Sequence, residues 1–344
     1  MLADFFRKRI VIEGIGISKY ELIDFLKGFS IMTIVLMHFF QFDYLPGIIY
    51  KALSIGGTGV HIFFFCSGFG LFMSFSKKRI SFIEFIKKRF TKIYIPYILI
   101  VIISSFLPYM LETKKLPTVL SHIFLYKMFN PLYEDTLGPF WFISTLFQFY
   151  FLFILIIKMK EYLGTKKFLL YCAILSVFWW IFSAMTGISQ ERIWGSFFLQ
   201  YLWEFALGIC FAEGLIQKKN YSISRLSLFG IAIIGISIAG IAKIIDGPLV
   251  VFNDVFAFCG YGAVAVGLYS LMCPIINKII LFINSISYEL YLVHFLLYQS
   301  IHMLVENDVL CGLLAIPLSI IISIYYSKFS KVLIKKVNYL IGVK

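Results

Sequence analysis

Charge is scarce in this chain. Asp, Glu, Lys and Arg make up 14% of its 344 residues, while 60% are hydrophobic. A soluble domain is about a quarter charged and about half apolar, so an ordinary water-exposed fold is excluded. The signatures of soluble enzymes are also missing: there is no GxSxG, no P-loop, no HExxH and no dinucleotide fingerprint. Cysteines are few and solitary. Cys66, Cys172, Cys210, Cys259, Cys273 and Cys311 show no CxxC and no Cys/His pairing. That argues against a disulfide framework and a zinc site and favours small buried hydrophobes. No metal is expected. Internal repeats or inverted halves, the usual pointer to a transporter, are not evident.

What the chain has in abundance is apolar length. Runs of about 20 residues, as one bilayer crossing requires, recur throughout, and the mean hydropathy is +0.91. The expected fold is an all-α polytopic membrane protein, a bundle of about ten transmembrane helices. The spans are placed at 23–42, 57–76, 93–111, 139–158, 168–187, 195–213, 226–245, 252–272, 280–304 and 309–327. The first is too long for a cleavable signal segment, and no small-residue cleavage site follows it.

Cations mark the sides. Connections after odd-numbered spans carry few: Lys51, then Lys114, Lys115 and Lys127, then Arg192. Those after even-numbered spans are rich in them, as in Lys77, Lys78, Arg79, Lys87, Lys88, Arg89 and Lys92. Arg7, Lys8 and Arg9 at one end and Lys331, Lys335 and Lys336 at the other join the rich side. Both termini are therefore expected in the cytoplasm, which requires an even number of crossings. Residues 1–344 are expected to form one transmembrane domain, with 1–20 a cytoplasmic segment and 328–344 a cytoplasmic basic tail. The net charge of +13 follows from this distribution, and nucleic acid is not an expected partner. The longest outer connection, roughly 112–138, mixes polar and aromatic residues and reads as an interfacial or re-entrant element.

Several stretches can carry chemistry. In ELIDFLKGFSIMTIVLMHFFQF, residues 21–42, Lys27 and His38 are eleven positions apart. On an α-helix that leaves them about 20° apart around the axis and about 16 Å apart along it. Asp24 lies one turn below Lys27. Ionisable groups inside a span face a bundle interior or a wet cavity and mark function by default. His38 suits a general base; the alternative is a histidine hydrogen-bonded between helices. In KKRFTKIYIPY, 87–97, Arg89 and Lys92 are neighbours at a helix entrance where cations converge on phosphate, or else ordinary anchors. Pro96 marks a bend there. GGTGVHIFFFCSGFGLF, 56–72, offers glycines for close backbone approach, with His61 near the outer end of its span. In SISYELYLVH, 285–294, Ser287, Tyr291 and His294 share a face, either for direct participation or for an interhelical network. Glu204, in YLWEFALG, is a further acid inside a span and is expected to pair with a cation or hydroxyl. Small residues in GIAIIGISIAG (230–240) and GYGAVAVG (260–267) suit close helix packing.

Taken together these stretches resemble the acyltransferase-3 family of integral membrane acyltransferases. The family's opening pattern, a basic residue followed by a histidine, is matched by Lys27 and His38 behind IDFLKG. FFFCSGFGL at 63–71, with Ser67, matches its second-span motif. Arg89 and Lys92 before IYIPY match its paired cations, WFISTLFQFY from Trp141 matches a third motif, and SISYELYLVH the last. Two positions depart: Lys92 stands for an arginine, and Leu146 and Phe147 stand where many of the family's polysaccharide O-acetyltransferases carry acids. The resemblance implies an O-acyltransferase that moves an acyl group, typically acetyl, from acetyl-CoA or another acyl-CoA to a hydroxyl of a cell-surface or exported glycan. It implies His38 as the catalytic base and Lys27, Arg89 and Lys92 as the donor's phosphate ligands. Asp24, His61, Ser67, Trp141, Glu204, Ser287, Tyr291 and His294 would support or line the path. Expected partners are acyl-CoA, a glycan or lipid-linked glycan, membrane lipid and a second copy in a homodimer, at the plasma (cytoplasmic) membrane. A polysaccharide or lipid exporter and an interaction subunit without chemistry are the competing readings.

Overall fold

In the computed structural model of the chain, residues 9–12, 20–40, 45–107, 115–130, 138–245, 247–271 and 273–342 are described. The chain is an all-α, multi-pass membrane protein. Among the described residues, seven helices are long and apolar enough to cross a membrane, or eight if Pro274–Ser285 and Ser287–His302 count together as one span. A helix pairs its backbone donors and acceptors within one segment, as lipid demands. A two-stranded antiparallel ribbon, β1 (Arg9–Ile12) with β2 (Tyr221–Ser224), pairs Arg9 with Ser224 and Ile12 with Tyr221.

Two features account for the difference between this count and ten. The expected fourth and fifth spans are two helical stretches that meet at Gly164, where the backbone leaves helical geometry with φ 70°, and they count together as one in Trp141–Met185. Glycine alone takes that left-handed conformation without steric cost. Within the expected third span the α-helix covers only Ile95–Ser104, and residues 108–114 lie outside the described residues. At the other end the last helix runs Asp308–Leu340, so the stretch read as a basic tail from 328 continues the span as helix. Much of the expected outer connection, 112–114 and 131–137, also lies outside the described residues; between them stand a helix, Lys115–Ile123, and a 3₁₀ turn, Lys127–Phe129.

The chain divides into two compact units, residues 1–78, 163–190 and 199–287 in the first, and 79–162, 191–198 and 288–344 in the second. In the first unit α1 (Glu21–Phe40) packs on α2 (Gly59–Lys77), on α6 (Asp254–Ser270) and on α7 (Pro274–Ser285). Between α2 and α6 in the chain come the 163–185 part of the long helix, α4 (Phe198–Ile216) and α5 (Arg225–Ile245). The long helix Trp141–Met185 is α3. Contact of α2 with α4 is unusually close: a Cβ on Gly68 would collide with the Phe205 carbonyl, and one on Gly208 with the Phe65 carbonyl. The small-residue stretches do pack as expected, with Gly235 of α5 against Gly260 of α6.

In the second unit Ser81 caps the helix Phe82–Arg89, its Oγ accepting from the Glu84 amide. A π-helical turn, Phe90–Tyr94, then leads into Ile95–Ser104 with Pro96 at its start. The bend read from IYIPY is thus a register shift. Freed carbonyls find side-chain donors, as buried acceptors must: the Tyr288 hydroxyl donates to Ile93 O and the Tyr326 hydroxyl to Pro96 O.

All six thiols are free. Cys66, Cys172 and Cys311 are buried as expected, but Cys210 and Cys273 are half-buried and Cys259 is exposed. The expectation of six buried cysteines is corrected on that point; in a membrane helix an apolar thiol facing outward meets lipid, which costs it nothing.

Candidate active site

α1 is unbroken from Glu21 to Phe40, so the register of Lys27 and His38 on one face, about 16 Å apart, holds as an α-helix requires. Lys27 pairs with Asp24 at 3.5 Å, one turn away. His38 is half-buried in the last turn.

The first unit also gathers a second group of ionisable side chains. His61, near the start of α2, meets Glu204 of α4, with His61 Nδ1 and Glu204 Oε1 2.6 Å apart. Its Nε2 lies 3.6 Å from Oδ1 of Asp254, the first residue of α6. The Gln200 amide donates from Nε2 to the other oxygen of Asp254. Glu204 and Gln200 are i,i+4 neighbours on one face of α4, and both are fully or almost fully buried. Lys243 of α5 donates to the carbonyl and hydroxyl oxygens of Ser54 at 2.9 and 2.8 Å, and its charge interacts with Asp254. Glu204, expected to pair with a cation or hydroxyl, meets an imidazole instead. The partner is His61, held there by the glycine contacts of α2 and α4. Ser67 stands half-buried six residues further along α2 than His61, next to Gly68 of that contact.

In the second unit Arg89 and Lys92 line one cavity of about 720 Å³, together with Lys88, Thr91, Lys331, Ile334, Lys335, Asn338 and Tyr339. Arg89 lies over the Phe85 ring at 5.3 Å and near the Tyr150 ring at 6.0 Å. These contacts fix its planar guanidinium. Burial lowers its pKa, opposed by Tyr150, and its Nε meets no acceptor among the described residues. Lys331 and Lys335 come from the last helix, which bears on the π turn. Glu289 interacts with the charges of both Lys92 and Lys331. Five basic side chains on one cavity make a site for an anion carrying several charges.

The remaining sequence candidates of this unit join an aromatic cluster. The Tyr291 hydroxyl donates to Pro139 O, and its ring packs against Phe140 and Phe142. Trp141 meets Phe142 edge-on and carries Arg192 over its face at 5.3 Å. His294 turns its Nδ1 to the carbonyls of Leu290 and Tyr291, 3.0 and 2.8 Å away on its own helix. Ser287, the last residue of the first unit, starts the helix Ser287–His302 and is half-buried.

Sequence reasoning missed Asp254, Gln200, Lys331, Lys335 and the fully buried His122, whose Nδ1 lies 3.1 Å from the Tyr97 hydroxyl. Asp254 left a signal, a single acid in an apolar run. The lysines left one too, spaced four apart on one helix, but it coincides with ordinary membrane anchoring. Lys27 and His38 belong to the first unit, Arg89 and Lys92 to the second.

A family model described as an acyltransferase domain, that of acyltransferase-3, matches residues 20–328. No curated protein and no solved structure matches the chain.

Proposed function

Because this chain belongs to the acyltransferase-3 family, whose model it matches over residues 20–328, we propose that it is an acyl-CoA-dependent O-acyltransferase. It moves an acetyl or similar acyl group from cytoplasmic acyl-CoA to a hydroxyl of a cell-surface or exported glycan or its lipid-linked precursor. The observation that carries this reading is the cavity lined by Lys88, Arg89, Lys92, Lys331 and Lys335. Its charge suits the diphosphate and ribose phosphate of CoA, and Arg89 can grip a phosphate with two parallel hydrogen bonds. Lys27 is assigned to the donor as well. The protein sits in the plasma membrane with both termini in the cytoplasm and about ten crossings.

His38 acts as the base. It takes the proton of the acceptor hydroxyl as that oxygen attacks the thioester carbonyl. The C–O bond forms, the C–S bond breaks, and the departing thiolate takes the proton back from the imidazolium. The roughly 16 Å between Lys27 and His38 along α1 matches the reach of a pantetheine arm. Positioning and proton transfer supply the rate, the latter by about 10²–10⁴-fold. Reconstituted protein given radiolabelled acetyl-CoA is expected to pass label to a glycan, or slowly to water. Protein that neither binds nor consumes acetyl-CoA would overturn the proposal.

A further inference from the structure

We propose that Glu204, Gln200, His61 and Asp254 form a binding site for a hydroxyl-rich, sugar-like acceptor within the first unit. The inference rests on the transferase reading and gives its acceptor a place.

The cluster's polar atoms divide into those with a partner and those without. Glu204 uses Oε1 for His61 Nδ1, and Gln200 uses its amide N–H for Asp254. What is left over is of one kind. Glu204 Oε2 and Gln200 Oε1 are both buried and meet no donor among the described residues. Both are acceptors, both sit on one face of α4, and both belong to side chains whose other atoms point into the cluster. A buried acceptor left without a donor is costly, so the complement of this site is a group that brings hydrogen-bond donors.

Three classes bring donors or positive charge. A metal ion does not fit between imidazole and carboxylate, because Nδ1 and Oε1 are at direct hydrogen-bond distance, 2.6 Å. An ammonium group would meet Lys243, whose charge already bears on Asp254 and His61. A polyol is complementary in hydrogen bonding: its neighbouring hydroxyls would donate to Glu204 Oε2 and Gln200 Oε1 and accept in turn. Access is available through His61 and Asp254, whose side chains are 14% and 19% exposed while Glu204 is fully enclosed.

The cluster also stands in a useful place. Gly59, two residues before His61, packs on the Ser30 carbonyl of α1. Tyr261, seven residues after Asp254, exchanges a hydrogen bond with Thr33 of α1. Both helices therefore bear on the middle of α1, and His38 lies five residues past Thr33, about 7.5 Å further along the axis.

The test uses purified full-length protein and two tritiated probes, methyl β-D-glucoside and the methyl glycoside of N-acetylglucosamine, followed by scintillation proximity binding. Wild-type protein is expected to bind at least one of them. Gln200→Leu and Glu204→Gln are each expected to weaken that binding about tenfold, as losing one buried or charge-assisted hydrogen bond does. Asp254→Asn, at a partly open helix start, serves as the second probe of the cluster if either α4 variant fails to run as a single species on size exclusion. Wild-type protein that binds neither glycoside overturns the assignment, as does equal affinity in the folded variants. Acetyl-CoA turnover is read separately. Glycoside binding that depends on Gln200 and Glu204, in a protein that transfers no acyl group, keeps this site and discards the transferase reading.

Discussion

His61 and Glu204 are 143 positions apart in the chain, yet His61 Nδ1 and Glu204 Oε1 stand 2.6 Å apart in the folded unit, with the carboxylate wholly buried. Neither group loses the other cheaply, because removing one partner of a buried pair typically costs about 3–5 kcal/mol. His61→Ala strands the Glu204 carboxylate, whereas removing both leaves a cavity beside Asp254 and no stranded Glu204 charge. The His61→Ala/Glu204→Ala double variant is therefore expected to melt higher than His61→Ala alone. Thermal melting in detergent across the four-protein cycle checks this, with a coupling of about 0.5–3 kcal/mol expected; additive losses would mean the pair contributes no joint stability.

Two glycines of α2 make a matched contrast. At Gly68 an added methyl collides with the Phe205 backbone, while at Gly70 nothing lies within 4 Å. Gly68→Ala is expected to destabilise by about 1–3 kcal/mol through overpacking. Gly70→Ala is expected to stabilise by about 0.5–1 kcal/mol through helix propensity alone. Equal melting shifts for the two would show that α2 and α4 are not held at backbone contact.

His38→Ala is expected to lower acyl transfer by about 10²–10⁴-fold while leaving the protein's membrane abundance unchanged. Initial rates with radiolabelled acetyl-CoA, normalised to immunoblotted protein, decide it. Wild-type rates in the variant would remove the imidazole from the chemistry.

For the basic cavity, Lys331→Ala/Lys335→Ala is expected to weaken acyl-CoA binding, with the deficit largest at low salt and shrinking as ions screen it. Arg89→Lys keeps the charge but loses the two-bond grip on phosphate, so its deficit should persist at high salt. Dissociation constants for a non-hydrolysable acyl-CoA at two ionic strengths separate the two behaviours. If both deficits vary with salt alike, Arg89 acts as a simple point charge.

The sequence made α1 legible because its geometry is local. An uninterrupted helix preserves an eleven-residue register whatever surrounds it, and Lys27 and His38 fall where the spacing predicts. Glu204 was legible only halfway. An acid inside a span must find a partner, but which partner depends on α2 and α4 meeting at Gly68 and Gly208, a contact between segments far apart in the chain. Asp254 and Gln200 were hidden for the same reason. Lys331 and Lys335 were hidden by a competing cause, since cations after the final span satisfy the positive-inside rule whether or not they converge on Arg89. The number of spans was not legible from apolar length alone, because length does not show where one crossing ends and the next begins: the backbone of Trp141–Met185 leaves helical geometry at Gly164 within one long apolar stretch.

The π turn at Phe90–Tyr94 carries one residue more than an α-helical turn would. Deleting a single residue there, Thr91 for instance, would let the segment relax into ordinary helix while leaving Arg89 at nearly its present bearing relative to Pro96, because the residue removed is the extra one of the π turn. A shortening of one residue, disruptive in most helices, is therefore absorbed at this turn, at the cost of Thr91 alone among the residues that line the anion cavity.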